Sequence, residues 1–431
     1  MTKTILCTMV LLSGVAWAGE GPPTMTLDQA LVALEQQSPN LAQARSRVAE
    51  AKAVATQARV PLLPTVVVAG GYTRNSDERV IDFSQALPQV ANIVGGSLVL
   101  QPLSVWSASG SVRVPLVVPN AWADWSAAQA GAEAAATSAE AARLQLRASL
   151  IQAAWITSAA EEIVAASERA VSVAVEHRAS AARGVSAGTM APLSVTKADT
   201  EVVRRQSDLA QARANLERGY LAMGVLLGKT TPVRVQMPAD RPPDTSTAPE
   251  QALSSRPEML AWEAQERSAR SQVRSAQLRW LPQLSASGSV FAADVAFPTG
   301  KKTGWRLTLD LAWPLYDGGL RGGKREQADA LLANVRAATE AQRLGIVQEA
   351  LDARRDIAVA QERLRLAEQQ KDFAAEAAAS AQRTFEAGVA GSLDVLDAND
   401  KLYQADVALA DAHGRLGVAQ VAWEKAMGRL R

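Results

Sequence analysis

Gly304-Trp305-Arg306-Leu307-Thr308-Leu309-Asp310-Leu311-Ala312-Trp313 alternates without a fault: Trp305, Leu307, Leu309, Leu311 and Trp313 fall on one face, Arg306, Thr308, Asp310 and Ala312 on the other. A period of two puts successive side chains on opposite faces of a strand. Charge confined to one face is the pattern of a strand standing between lipid and water. Trp305 and Trp313 are separated by ~26 Å along a strand at ~3.3 Å per residue, or ~20 Å of height once it is tilted by ~40°. That approaches the ~25 Å apolar band whose edges aromatic girdles mark, so both Trp are read as lipid-facing.

The pattern recurs more weakly outward from this stretch. Trp106, Ala108, Gly110, Val112 and Val114 alternate with Ser107, Ser109, Ser111 and Arg113, and Leu284, Ala286, Gly288 and Val290 with Gln283, Ser285, Ser287 and Ser289. Trp106 joins the expected girdle. Residues 65–73 fit least, because Val67 breaks the alternation. Strands are therefore expected near 65–74, 105–115, 283–292 and 303–313. Four strands cannot close a membrane barrel, which takes about eight at the least, so the barrel must be shared between chains. The competing reading is four edge strands packed on a soluble core.

The strands recur because the chain repeats. Pro64 falls on Pro282, and Trp106, Pro115 and Leu116 on Trp305, Pro314 and Leu315, with a longer first loop inside 75–105. Arg183, Ala187, Gly188, Leu193, Val195 and Ala198 then fall on Arg383, Ala387, Gly388, Leu393, Val395 and Ala398, and Gly228 on Gly428. The reading is a first repeat over 19–230, a linker over 231–248 holding Pro232, Pro238, Pro242 and Pro243, and a second repeat over 249–431. Each repeat reads helix, strand, loop, strand, long helix, tight turn, helix. The helical parts, 27–60, 120–228, 249–279 and 320–428, are rich in Ala, Gln, Glu, Arg and Leu, all strong helix formers. Residues 120–183 alone would make a helix of ~90 Å. Its apolar positions are mostly Ala, which lets helices approach closely, as in coiled coils. The fold class is mixed and mainly α.

The first residues have the layout of a secretory signal peptide: Lys3, an apolar run from Ile5 to Leu12, and Ala16-Trp17-Ala18, with cleavage expected after Ala18. The run is too short to span a bilayer, which takes about 20 apolar residues. The single cysteine, Cys7, lies inside it. The exported chain then has no disulfide and depends on packing, pairing or oligomerisation. Lys and Arg number 45 against 44 Asp and Glu, a balance that asks for neither nucleic acid nor an anionic membrane surface. The uncharged stretch Phe83 to Val112 is broken by Pro88, Gly95-Gly96 and Pro102 and reads as a long loop leading into a strand. With no candidate membrane helix, entry into a membrane requires a closed β-barrel.

Three further pieces carry a resemblance: Thr26-Leu27-Asp28-Gln29-Ala30-Leu31, the strand exit Trp313-Pro314-Leu315-Tyr316-Asp317-Gly318-Gly319, and the turn from Phe385 through Ser392-Leu393-Asp394-Val395-Leu396-Asp397-Ala398. In this order, in a duplicated chain behind a signal peptide, the whole mature sequence resembles the TolC family of outer-membrane factors. The resemblance implies a homotrimer whose chains each give four strands to a twelve-stranded barrel set in outer-membrane lipid, continued by an α-helical tunnel across the periplasm. It also implies a periplasmic adaptor (membrane fusion protein) and an inner-membrane transporter as partners. The function it implies is the passive exit duct of a tripartite efflux or type I secretion system, with no cofactor and no reaction. The first half departs from the family pattern, with Pro115-Leu116-Val117-Val118-Pro119-Asn120 in place of an aromatic-Asp-Gly-Gly exit and Pro192 in the first turn. These departures bear on local geometry rather than on the fold.

By length, the turns at Gly188 and Gly388 lie at the helix ends farthest from the strands. A glycine there supplies the positive φ that ends a helix, and Ser392 is placed to cap the next. Following the resemblance, Arg183, Gly188, Thr189, Leu193, Arg383, Gly388 and Leu393 form the tip that meets the adaptor; the plainer reading is a helical hairpin alone. Asp394 and Asp397 stand on one side of a helix. In a trimer they would form two stacked carboxylate rings, and the similar family turn places these positions at the narrow periplasmic entrance. Like charges in a constriction attract cations and can hold a multivalent one. Alternatively, both acids simply complement the positive end of the helix starting near Ser392. The first-half equivalents are Ser194 and Lys197, so any acidic ring comes from the second repeat.

Other motifs lead nowhere. Gly228-Lys229-Thr230 has Gly224 one residue too close for a phosphate loop and follows a helix rather than a strand. Ser194-Val195-Thr196-Lys197 has no Ser-Asp-Asn companion. His177 and His413 sit singly on charged helical stretches and are read as solvated surface rather than metal ligands. No catalytic constellation emerges. The alternative to a duct is a periplasmic coiled-coil scaffold or adaptor without a pore, and the strand bearing Trp305 and Trp313 discriminates between them.

Overall fold

The computed structural model describes residues 22–82, 97–238, 248, 251–295 and 301–430. The signal segment 1–18, residues 239–247 of the linker, and 83–96 and 296–300 of the two loops lie outside the described residues. In chain order the main elements are β1 (Thr24–Thr26), α1 (Leu27–Gln37), α2 (Pro39–Ala58), β2 (Thr65–Arg74), β3 (Arg79–Asp82), β4 (Ser97–Gln101), β5 (Ser104–Val117), α3 (Pro119–Ser186), α4 (Leu193–Leu226), β6 (Arg234–Gln236), α5 (Ala252–Ser255), α6 (Pro257–Leu278), β7 (Gln283–Ala293), β8 (Thr303–Ala312), α7 (Leu320–Glu386) and α8 (Ser392–Ala426). The chain is mainly helical. No helix among the described residues is long and apolar enough to cross a membrane.

Packing divides the chain into two units, and each draws on both halves of the sequence. One comprises residues 43–141 and 256–346. Its centre is an antiparallel sheet of order β2-β5-β7-β8. Register explains the alternation: Val66, Val112, Gly288 and Leu307 form one cross-strand row, and Val68, Gly110, Val290 and Trp305 the next. The intervening row is Val67, Ser111, Ser289 and Arg306. Val67 is thus the one large apolar residue in an otherwise polar row, which is why its strand was hardest to read. A bulge between Pro115 and Val117 brings Val117 opposite Leu284.

The two strand exits differ, as the sequence departure implies. After β8, Gly318 and Gly319 take φ of +67° and +93°, and Asp317 accepts from the backbone N of Arg321 at 3.2 Å and its Nε at 2.7 Å. After β5 the bulge and Pro119, the first residue of α3, do the same work; Pro suits that position because the first helical N–H has no partner to lose. The loop expected over 75–105 contains a two-stranded ribbon, β3 with β4.

The second unit comprises the described parts of 1–42 with 142–255 and 347–431. Thr26 opens α1 with a capping box, its Oγ1 accepting from Gln29 N at 3.3 Å while Gln29 Oε1 accepts from Thr26 N at 3.0 Å. The single helix expected over 27–60 is two, because Ser38, preceding Pro39, is extended with ψ 121°. The stretch read as linker begins with a strand: β6 pairs parallel with β1, Met25 opposite Val235. Ala30, Leu34, Leu150, Met223, Leu227 and Val233 are fully buried beneath it, and each large side chain there stabilises by about 1.5–3 kcal/mol. Along the long helices the buried positions are mostly alanine, among them Ala166, Ala174, Ala181, Ala198, Ala353 and Ala405.

Candidate functional site

Four long helices end in the same hydrogen-bonded cap. Gly188 N donates to Val185 O at 3.0 Å and Thr189 N to Gly184 O at 2.9 Å; Gly388 N donates to Phe385 O at 2.9 Å and Val389 N to Thr384 O at 2.9 Å. The ends at Gly228 and Gly428 repeat the pattern, and all four glycines have φ between +66° and +75°. This is the Schellman arrangement, whose left-handed residue is sterically cheap only for glycine. Arg183, Gly188, Thr189, Leu193, Arg383, Gly388 and Leu393 are all exposed at the two turns.

Ser392 does not cap α8. Gly391 stands at the N-cap, its N–H donating to Asp394 Oδ2 at 2.9 Å, while Ser392 Oγ faces His177 Nε2 at 2.9 Å. Asp394 therefore makes the helix-end contact that the plainer reading of the acidic pair required. Asp397 is exposed and pairs with Lys401 Nζ at 2.6 Å. A pair this exposed is screened by solvent and weak, and it leaves the carboxylate free to turn. Lys401 offsets part of the charge that an acidic ring would carry.

One turn further along α8 lies a cluster that sequence reasoning missed. Arg205, 4% exposed in its side chain, bonds Glu201 at 2.7 Å and also Asp400. Arg204 reaches the same Asp400 oxygen at 2.6 Å. The Arg205 guanidinium lies 4.5 Å above the Tyr403 ring, and the Tyr403 hydroxyl is 3.1 Å from Ser167 Oγ. Burial works to raise the Asp400 carboxyl, but the Arg205 hydrogen bond and the charges of Arg204 and Arg205 hold it below its usual range. The cluster ties α3, α4 and α8 together. The Glu201, Arg205 and Asp208 spacing marked its intrahelical part; nothing local marked Asp400.

The reading of His177 as solvated surface is wrong: it is 3% exposed, with its ring 5.2 Å from that of Phe385. Burial pushes its pKa below the usual histidine value, against the opposing pull of Glu201. His413 is exposed, 3.1 Å from Glu162.

Trp106 and Trp305 on the sheet, and Trp313 just past the end of β8, are 62%, 72% and 59% exposed, and Leu307, Leu309 and Leu311 between 67% and 75%. Tyr72, opposite Trp106, packs its ring at 4.8 Å. Trp313 Nε1 donates to Trp280 O at 3.1 Å. A continuous exposed apolar face of this kind marks an interaction surface.

The family described as "Outer membrane efflux protein" matches residues 30–229 and 248–429. Outer membrane protein OprJ of Pseudomonas aeruginosa is 28% identical over 242 residues, which cover 51% of this chain and 49% of OprJ; the match spans about half of that relative. The outer membrane protein VceC of Vibrio cholerae has the same fold, with a TM-score of 0.79 at 19% identity over 93% of this chain and 96% of VceC. So has the CmeC outer membrane channel of Campylobacter jejuni, with 0.81 at 15% identity over 99% and 93% of the respective chains. The chain therefore belongs to the outer membrane efflux protein family.

Proposed function

We propose that the protein is the outer-membrane exit duct of a tripartite efflux or type I secretion assembly. Three copies, each a duplicated chain of repeats 19–230 and 249–431, contribute four strands apiece to a twelve-stranded barrel. The long helices continue as a tunnel through the periplasm after the signal segment is removed near Ala18. The observation that carries this reading is the exposed apolar face running through Val68, Val290, Trp305 and Leu309, on a sheet whose outer strands β2 and β8 each pair on one side only among the described residues. Open edges are a liability that closure into a barrel removes. Closure into a barrel whose outer face is buried in lipid accounts for both features, whereas a scaffold without a pore leaves both unexplained.

The exposed turn residues Arg183, Gly188, Thr189, Leu193, Arg383, Gly388 and Leu393 meet the periplasmic adaptor. Asp394 and Asp397 ring the narrow entrance beside them. Energy comes from the inner-membrane transporter, and the duct itself catalyses nothing. Native mass spectrometry of the protein extracted from outer-membrane fractions tests the assembly: a species of three chains is expected. A monomer released without detergent refutes the reading.

A further inference from the structure

The face of the sheet turned away from Val68, Val290 and Trp305 carries charge of one prevailing sign. Along β2, β5, β7 and β8 its ionisable groups are Arg113, Arg306 and Asp310. Both arginines are exposed. Neither stands opposite a carboxylate: Arg113 lies between Thr65 and Ser287, and Arg306 lies opposite Ser289. Asp310 lies opposite Ser285 and accepts from Ser287 Oγ at 3.4 Å. It is four residues from Arg306 on the same strand, or ~13 Å at ~3.3 Å per residue, too far to neutralise it.

Register sets the spacing of the two guanidinium groups. Arg113 on β5 and Arg306 on β8 flank β7, two strand intervals and two residues apart. Their backbones are therefore separated by about 12 Å, at ~4.8 Å per strand and ~3.3 Å per residue. The intervening positions are Ser287 and Ser289 on β7 and Ser111 on β5, whose hydroxyls donate hydrogen bonds without adding charge. An oxyanion between the arginines would meet donors on every side, and the planar guanidinium matches oxyanions two bonds at a time.

The duct reading, on which this inference rests, supplies the symmetry. If the order β2-β5-β7-β8 is closed from β8 onto the next chain's β2, Arg306 again stands two strands from the next Arg113. β2 brings no inward charge to that seam, since its residues on this face are Thr65, Val67, Ala69, Gly71 and Thr73. Two arginines from each of three chains then make a belt of even lateral spacing, with twice as many guanidinium groups as carboxylates. Rings of Arg or Lys are the pore linings that draw anions and phosphate.

We propose that the barrel lumen binds small multivalent oxyanions, polyphosphate in class, between Arg113 and Arg306. The entrance acids Asp394 and Asp397 have the opposite sign and belong to the other unit of the chain, so either group can be altered alone.

The test uses the full-length protein in planar bilayers, in metal-free potassium chloride, with tripolyphosphate as the probe. Tripolyphosphate is expected to reduce the current saturably, and less so at 1 M than at 0.1 M salt, as the screening length falls from about 10 to about 3 Å. Arg113→Gln with Arg306→Gln should raise the half-blocking concentration at least about tenfold, for the loss of two charge-assisted contacts, while still forming pores that multivalent cations block. Thr308→Arg, which adds a guanidinium to the row of Arg113, should lower it. Pores indifferent to tripolyphosphate, or block that survives the double substitution, would overturn the belt and leave the duct standing. A wild-type protein that forms no pores would overturn the duct reading and the belt with it.

Discussion

Leu309→Arg is the sharpest perturbation of the sheet face. Leu309 sits midway between Trp305 and Trp313, about 13 Å along the strand and ~10 Å in height from each if the strand tilts by ~40°. That places it at the midplane of the proposed barrel, 67% exposed on the face it shares with Ala286 and Val114. An arginine on the lipid face at this depth costs about 2–4 kcal/mol per chain, roughly 30- to 1,000-fold in the insertion equilibrium. Three copies would bring the cost to about 6–12 kcal/mol per trimer. Thr308→Arg adds the same side chain one residue away, in a row with Ser287 and Arg113, on the inward face, where substitutions tune selectivity rather than insertion, and should insert like the wild type. Urea-dependent folding into defined bilayers measures both. Equal insertion of the two variants would refute the assignment of faces.

Asp394→Asn with Asp397→Asn keeps an oxygen for the Gly391 N–H while removing both charges; it should abolish block by multivalent cations without loosening α8, and unchanged block in conductance recordings would end the gate assignment. Arg205→Met should destabilise by about 3–5 kcal/mol in chemical denaturation, because a buried ion pair loses one partner, while Arg204→Ala, at a side chain 49% exposed, should cost under about 1 kcal/mol; similar losses would show that the cluster does not hinge on Arg205. For His177 the folded pKa lies below 6.5, so its contribution is present above pH 6.5 and is lost as pH falls through the folded value. Thermal denaturation between pH 8 and 5 should show this loss in the wild type and a flatter profile in His177→Phe; parallel profiles would contradict it.

What could be read from the chain followed from local physics. The strand of Trp305 to Trp313 declared its two faces because a side-chain period of two needs no knowledge of the neighbours. The helix ends at Gly188 and Gly388 were legible because only glycine adopts the required φ cheaply. What escaped depended on distant partners. His177 lies between Glu176 and Arg178 and looks solvated, yet its contacts are Phe385 and Ser392. Arg205 likewise reaches Asp400 on another helix. The pairing of β1 with β6 was hidden in a proline-bearing stretch because three-residue strands carry no periodicity to detect. Ser392 was misassigned because Gly391 with Asp394 satisfies the same helix end.

Single-channel recording of the purified protein in a planar lipid bilayer tests the central claim most directly. The account predicts discrete conductance steps of uniform size, selective for cations and reduced by multivalent ones. A stably folded sample that inserts no pores would contradict it.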